Sequence, residues 1–141
     1  MTLSLSQARA IIQGTLAAGS NLSLQPLTVV VLDAGGHLIA AEREDGASNK
    51  RFEVAYGKAH GAMSLGMGSR KLYERAQEQP FFAAALGSVI GPLVPVPGGV
   101  LVKAADGTVL GAVGVSGDTS EHDEEAALAG IDSAGLVAQA D

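Results

Sequence analysis

The chain has 141 residues, of which 47% are hydrophobic, 4% aromatic and 17% charged, and its formal net charge is −6. This length fits one domain, residues 1–141, that can bury a sizeable core. The acidic balance argues against a nucleic-acid partner, because such proteins need a basic surface to release counterions from phosphates. The absence of cysteine excludes disulfides, thiolate metal sites and cysteine nucleophiles.

Two further expectations follow from composition. The N-terminal segment MTLSLSQARAIIQ lacks the basic and apolar regions of a secretory signal, and no run of 18 apolar residues occurs. We therefore expect a cytoplasmic protein with no membrane partner. The low charged fraction leaves little polar surface to cover a monomer, which favours a homo-oligomer.

The first half of the chain predicts a helix followed by a β-hairpin. Ser4 and Gln7 have the spacing of a capping box, and residues from Ala8 to Leu16 recur with helical period. Within the segment 4–21, Gly19 is the expected C-terminal stop of this helix. The β-branched run LTVVVLD predicts a strand that is buried on both faces. The turn DAGG then predicts a tight hairpin, with HLIAAER, residues 37–43, as the returning strand.

The second half predicts several helices, a second hairpin and a last helix. Pro80 is expected to open one of the helices, because its missing N–H costs nothing at that position. The predicted segments are a helix over 49–67, two short helices over 69–79 and 80–89, a proline-rich loop over 90–99, a hairpin over 100–117 and a helix over 119–140. Antiparallel strand pairs among helices predict an α+β fold with a sheet of four or five strands flanked by helices.

His37, which follows two glycines, is the first candidate for chemistry. Strand alternation would place His37 and Arg43 on one face, with Lys58 one helix away. Two cations and an imidazole suit a carboxylate ligand, so we expect the ring to face inward into a cleft beside these basic groups. The alternative is that His37 is a solvated turn residue.

The other candidates have plainer interpretations. Lys58 lies in a helix of alanines and glycines, where it either points outward or pairs with a buried group, and the outward orientation is favoured. His60 is expected to pack. The acidic segment 121–125, which includes His122, carries metal-ligand types without a recognised spacing, so we predict helix capping and no metal. The sequence GVSGD around Ser116 fails the nucleophile-elbow pattern, because Asp118 replaces the final glycine.

Three stretches in this order resemble the GlcG/HbpS family, whose domain also forms the C-terminal half of PduO-type cobalamin adenosyltransferases. They are VVVLDAGGHLIAAEREDGA, KAHGAMSL and VPVPGGVLVKAADGTVLGAVGVSGDTSEHDEEAALAG. The resemblance covers Thr28 to Gly130. The matching positions are Asp33, Gly35, Gly36 and His37 in the first motif, Lys58 and Ala59 in the helix, Gly98 and Gly99 in the loop, and Ser116, Gly117, Glu121 and Asp123 in the last.

The resemblance implies a compact α+β domain with an antiparallel sheet flanked by helices, assembling into dimers and often octamers. It also implies that some members bind heme and iron, while many others are encoded among genes of organic-acid catabolism. The resemblance implies an axial histidine from the N-terminal helix in heme-binding members, but Ser4 to Ala18 contains neither histidine nor methionine. A heme cofactor would therefore be held through His37, His60 or His122.

Two functions remain open, together with a purely structural role for these residues. The first is an oligomeric binding protein that holds an anionic ligand, an organic acid or a tetrapyrrole such as heme, in a pocket near His37. The alternative is a cofactor-independent lyase, isomerase or hydratase acting on a small carboxylate, with His37 as general acid or base. The candidate catalytic residues are His37, Lys58 and Glu121, and the candidate ligand-binding residues are Asp33, Arg43, Gly98, Gly99 and Ser116.

Overall fold

A computed structural model describes all 141 residues. Five strands form one antiparallel sheet in the order β2-β1-β4-β3-β5, and five helices accompany it. The α+β prediction is confirmed. The elements are α1 (Leu5–Asn21), β1 (Thr28–Asp33), β2 (Leu38–Arg43), α2 (Arg51–Leu65), α3 (Ser69–Glu78), α4 (Pro80–Ile90), β3 (Gly99–Lys103), β4 (Val109–Ser116), α5 (Ser120–Ser133) and β5 (Val137–Gln139).

The sheet separates two hydrophobic layers. Strand β1 lies between β2 and β4, and its first five residues are buried, as its β-branched sequence predicts. Val29 and Val31 contribute to the layer shared with α1 and α5, whereas Val30 and Leu32 contribute to the layer under α2. Alternation along a strand buried on both faces explains this division.

The predicted helix starts are confirmed at α1 and α4. Ser4 Oγ accepts the backbone N–H of Gln7, and Gln7 Oε1 accepts the backbone N–H of Ser4, which forms the capping box. Pro80 is the first residue of α4, so the two short helical segments are helices of 10 and 11 residues.

The prediction for the C-terminal segment is wrong beyond Ser133. Helix α5 ends there, and Gly135 turns the chain with a φ of +76°. The residues that follow pair as β5 with β3, in the register Leu101↔Gln139. The edge of β3 offers backbone hydrogen bonds to this segment. These hydrogen bonds outweigh the preference of the segment for a helix.

Helix α2 approaches the sheet closely because glycine lines their contact. A Cβ atom added to Gly114 on β4 would overlap the carbonyl oxygen of Ala55. Ala55, Ala59 and Ala62 of α2 are fully buried against the sheet. The small residues of the sequence therefore set the separation of helix and sheet.

Helix α4 lies at the periphery, packed against α3, and Leu86 is its one buried residue. Phe81 is 90% exposed and Val89 is 78% exposed. None of the five helices combines the length and the apolar character that crossing a bilayer requires.

Candidate functional site

His37 lies at the tip of the β1–β2 hairpin, where Asp33 holds it. Asp33 Oδ1 accepts the backbone N–H groups of Gly35 and His37, each at 2.9 Å, and lies 3.2 Å from His37 Nδ1. These contacts, chiefly the amide of His37, lower the pKa of Asp33 despite the cost of its desolvation. A neutral His37 that donates from Nδ1 to this carboxylate leaves Nε2 as a free acceptor.

The expectation that the ring faces inward beside basic groups is wrong. The His37 side chain is 81% exposed, and its charged neighbour is the carboxylate of Asp33. The strand begins one residue later than predicted, at Leu38, and the ladder is irregular between Val31 and Leu32. The Asp33 side chain thus fixes the imidazole at the turn, outside the regular alternation of β2.

A cavity of about 350 Å³ nevertheless adjoins His37, between the hairpin and the residues that precede α1. Five of the nine lining residues are hydrophobic, and no lysine or arginine is among them. This site offers apolar contacts together with one imidazole. The lining residues are Met1, Thr2, Leu3, Asp33, Ala34, Gly35, His37, Ile39 and Leu110.

The predicted grouping of His37 with Arg43 and Lys58 does not occur within one chain. Arg43 lies at the opposite end of β2, about 20 Å away at ~3.4 Å per residue, where it lines another cleft with Glu44 and Asp45. Lys58 reaches the carbonyl of Val115, whereas the hairpin end of β1 pairs with Gly111. These β4 positions are four residues apart, which corresponds to about 13 Å.

Lys58 is buried, so the expected outward orientation is also wrong. Its side chain is 2% exposed, and Nζ donates to Asp123 Oδ2 at 3.0 Å and to the Val115 carbonyl at 2.9 Å. Burial lowers the pKa of Lys58 and raises the pKa of Asp123, while the attraction between the two charges opposes both shifts. The pair joins the middle of α2 to the start of α5.

The Gly98–Gly99 segment makes room for this pair. Gly98 has a φ of +123°, and an added Cβ would lie 2.8 Å from Lys58 Nζ. The amide of Gly99 donates to Ser69 Oγ at 2.7 Å, so it is already engaged. Both glycines therefore have a packing role that the sequence analysis did not identify.

The cap of α5 is formed by Asp118 and Thr119, which precede the acidic segment 121–125. The predicted capping role does not apply to Asp123 and Glu124, which pair with Lys58 and Arg70. Thr119 Oγ1 accepts the N–H of His122 at 3.2 Å, and His122 Nδ1 lies 2.7 Å from Asp118 Oδ1. Backbone N–H groups of Gln25 and Thr119, with His122, lower the pKa of Asp118 to about 2. The same carboxylate raises the pKa of His122.

The remaining candidates are dispersed. Glu121 is exposed on α5 and makes no ion pair, whereas Lys58 is buried against Asp123 and His37 is held by Asp33. The three candidate catalytic residues therefore do not form one active site, which the lyase alternative requires. No group of three His, Asp or Glu side chains is positioned to hold a metal ion. His60 Nδ1 lies 2.8 Å from the carbonyl oxygen of Pro92, and its ring stacks on Tyr56 with centroids 5.5 Å apart.

Sequence reasoning missed Arg51. Its NH1 group donates to the buried Ser116 Oγ at 3.1 Å, and its Nε donates to Ser48 Oγ at 2.9 Å. Ser116, a predicted ligand-binding residue at the end of β4, is fully buried, and its hydroxyl is engaged by Arg51. Only the position of Arg51 at the first turn of α2 distinguishes it in the sequence, and that position does not reveal a partner 65 residues away.

Comparisons with known proteins agree with this architecture. The family model described as haem degrading protein HbpS-like matches residues 3–132. A 15.0 kDa protein of the dhaT-dhaS intergenic region of Citrobacter freundii, itself uncharacterized, is 29% identical over 133 residues, covering 93% of this chain and 91% of that protein.

Two solved structures have closely similar folds. A double mutant of HbpS from Streptomyces reticuli has a TM-score of 0.81 and 26% identity, covering 94% of this chain and 86% of that one. The structure of PduOC in complex with heme has a TM-score of 0.85 and 24% identity, covering 97% and 98% of the two chains.

Proposed function

The chain belongs to the HbpS-like family, and on this premise we propose that it is a small-molecule binding protein whose ligand is a heme-type tetrapyrrole. The description of the family and the heme complex of the similarly folded PduOC support this ligand class. Bound heme would supply an iron centre for redox or oxygen chemistry. The chain itself supplies the pocket and the protein ligand to the iron.

The observation that carries the proposal is the environment of His37. Its Nδ1 is held by Asp33, and the ring stands in the wall of the cavity that Leu3, Ile39 and Leu110 make apolar. A carboxylate bonded to Nδ1 fixes the tautomer and raises the basicity of Nε2, as in many metal-binding histidines. The cavity of about 350 Å³ lies at the lower end of the range typical for ligand pockets, ~300–1,000 Å³.

The other two histidines fit a heme less well. His122 lies at the acidic first turn of α5, beside Asp118, and lines no cavity. His60 is stacked on Tyr56 and lines no cavity either. A tetrapyrrole requires apolar cavity walls beside its iron ligand, and of the three histidines only His37 lines a cavity.

Titration of the purified protein with hemin, followed by the Soret band, tests this function. We expect saturable binding to the wild type and at least 10-fold weaker binding to His37→Ala, because that variant loses the iron ligand. Asp33→Asn should retain binding with reduced affinity, since changes to groups that orient a metal ligand typically cost ~10–100-fold. Binding should also raise the melting temperature by mass action.

His60→Gln and His122→Gln are the matched controls, because each removes one imidazole outside the cavity. Both should bind hemin as the wild type does. A wild-type protein that shows no saturable Soret change overturns the proposed function. Unchanged affinity in His37→Ala overturns the assignment of the site.

We propose in addition that two copies of this chain associate through α4. Its eleven residues include no charged side chain, and Phe81, Phe82 and Val89 are exposed. Contiguous exposed apolar surface of this kind is typical of interaction sites, and a twofold dimer would pair the helix with its own copy. This proposal assigns the exposed face of α4 to the homo-oligomer that the composition predicts.

A further inference from the structure

A second cavity, of about 240 Å³, lies at the opposite end of the central strands from His37. It adjoins the start of β1 and the end of β4, where Thr28 pairs with Ser116, whereas the hairpin end of β1 pairs with Gly111. Five residues of extended chain separate these ends, about 17 Å. The lining residues are Gln25, Pro26, Gly46, Ala47, Ser48, Arg51 and Gly117.

Arg51 is the charged residue of this cavity. Its guanidinium is held by two serine hydroxyls, those of Ser48 and Ser116, and no carboxylate lies within 4.0 Å of it. Two of its five N–H donors are engaged in this way. The remaining three form part of a rigid planar fork that matches the oxygens of a carboxylate.

Glu53, two residues from Arg51, pairs with Lys50 at 3.8 Å, and two carboxylates close to lining residues are also engaged. Asp118 accepts the amides of Gln25 and Thr119, and Glu44 Oε1 accepts the amide of Leu27 at 2.7 Å. Neither lines the cavity. A partly buried guanidinium without a counter-ion is unusual in a chain of net charge −6.

Two further features lie near Arg51 in the fold. Helix α2 starts at Arg51, so the positive end of the helix dipole lies at this position. No side chain caps this end, and the Arg51 amide donates to the carbonyl oxygen of Ser48 at 3.3 Å. Thr28 Oγ1 is buried next to Ser116 in the sheet register and has no hydrogen-bond partner. Thr28 does not line the cavity, so its hydroxyl is not a contact of the ligand.

We infer that this cavity binds a small carboxylate, with the Arg51 guanidinium as the principal contact and the Ser48 and Ser116 hydroxyls holding that guanidinium in place. The volume is below the ~300–1,000 Å³ of sites for larger ligands, and the lining is mostly polar, so the ligand is small and hydrophilic. The planar guanidinium fork matches the planar carboxylate group, and the titration below distinguishes a carboxylate from phosphate, which the fork also fits. The site is independent of the heme proposal, because it shares no residue with the His37 cavity.

The test is an NMR titration with sodium acetate and sodium propionate at constant ionic strength, following the Nε–H signal of Arg51 and the amide of Gly117. We expect saturable shifts in the wild type and at least 10-fold weaker binding in Arg51→Gln. Arg51→Lys should also weaken binding, because an ammonium keeps the charge but loses the fork. Ser48→Ala should weaken it by a smaller factor.

Arg43→Gln is the matched control, since it removes an arginine that lies outside this cavity. Retention of the wild-type amide spectrum outside the cavity establishes that each variant is folded, and Ser48→Ala provides a second probe if Arg51→Gln is not. Shifts no larger than those with sodium chloride overturn the inference, as does equal affinity in the folded Arg51→Gln. Sodium phosphate binding as tightly as acetate overturns the preference for carboxylates.

Discussion

Nζ of Lys58 on α2 lies 3.0 Å from Oδ2 of Asp123 on α5, and the two side chains are 2% and 1% exposed. The second Asp123 oxygen accepts the amide of Asp118 at 2.9 Å. One buried ion pair therefore connects a helix on one face of the sheet to the start of a helix associated with the other face. Neither residue contributes to the two cavities to which ligands are assigned.

Removing one member of this pair is expected to destabilise the fold strongly. Lys58→Met leaves Asp123 buried without a counter-charge, which should lower the free energy of unfolding by ~3–5 kcal/mol in urea denaturation. Lys58→Met combined with Asp123→Asn should recover much of this loss, because the amide is neutral and still accepts the Asp118 N–H. A double variant that is less stable than Lys58→Met alone would contradict a dominant role for the unpaired charge.

The Asp118–His122 contact predicts that the stability of the fold depends on pH, with a lower and an upper limit. Asp118 has its pKa lowered from 3.8 to about 2, so its contribution to stability is present above about pH 4 and is lost as the pH falls toward 2. The pKa of His122 is raised above 6.5, so its contribution is present below pH 6.5 and is lost as the pH rises through the folded value. The contact is most stabilising between these limits.

An NMR titration of the three histidines measures this effect directly. The midpoint of His122 should lie above 6.5 in the wild type and should fall toward 6.5 in Asp118→Asn, because the carboxylate is removed. Urea unfolding at pH 5 should show that Asp118→Asn loses up to ~2 kcal/mol, and the loss should shrink below pH 3. A His122 midpoint that does not respond to Asp118→Asn would refute the assigned cause.

The contact between α2 and β4 predicts that any larger residue at Gly114 destabilises the fold. Gly114→Ala places a methyl group against the Ala55 carbonyl and forces the helix away from the sheet. Overpacking of this kind should cost ~1–3 kcal/mol in the free energy of unfolding. Ala129→Ser, which adds one atom at an exposed position of α5, should remain within ~0.5 kcal/mol of the wild type.

The surface of α4 predicts that a charge at Phe81 opposes self-association. Sedimentation velocity should show a smaller assembly for Phe81→Glu than for the wild type, because the variant buries a carboxylate at the proposed interface. Lys71→Glu, a charge change on the exposed surface of α3, is the control and should leave the sedimentation coefficient unchanged. Identical sedimentation of Phe81→Glu and the wild type would exclude α4 as the interface.

Much of the fold could be predicted from local pattern. The capping residues of α1, the β-branched run of β1 and Pro80 at the start of α4 each depend on neighbouring positions in the chain, so their effect is visible in the sequence. The segment of β5 could not be predicted, because its partner β3 lies more than 30 residues earlier and its own letters favour a helix. Long-range pairing overrode local propensity there.

The features of the candidate site also fall into those set by nearby residues and those set by long-range contacts. The hairpin turn and the position of His37 in it can be inferred from the sequence alone, because glycine conformations act over a few residues. The inward orientation of Lys58 toward Asp123 and the contact of Arg51 with Ser116, each across 65 residues, become visible only in the folded chain. The physical reason is that burial and charge pairing depend on which elements the sheet brings together, and adjacency in space is not encoded by adjacency in the chain.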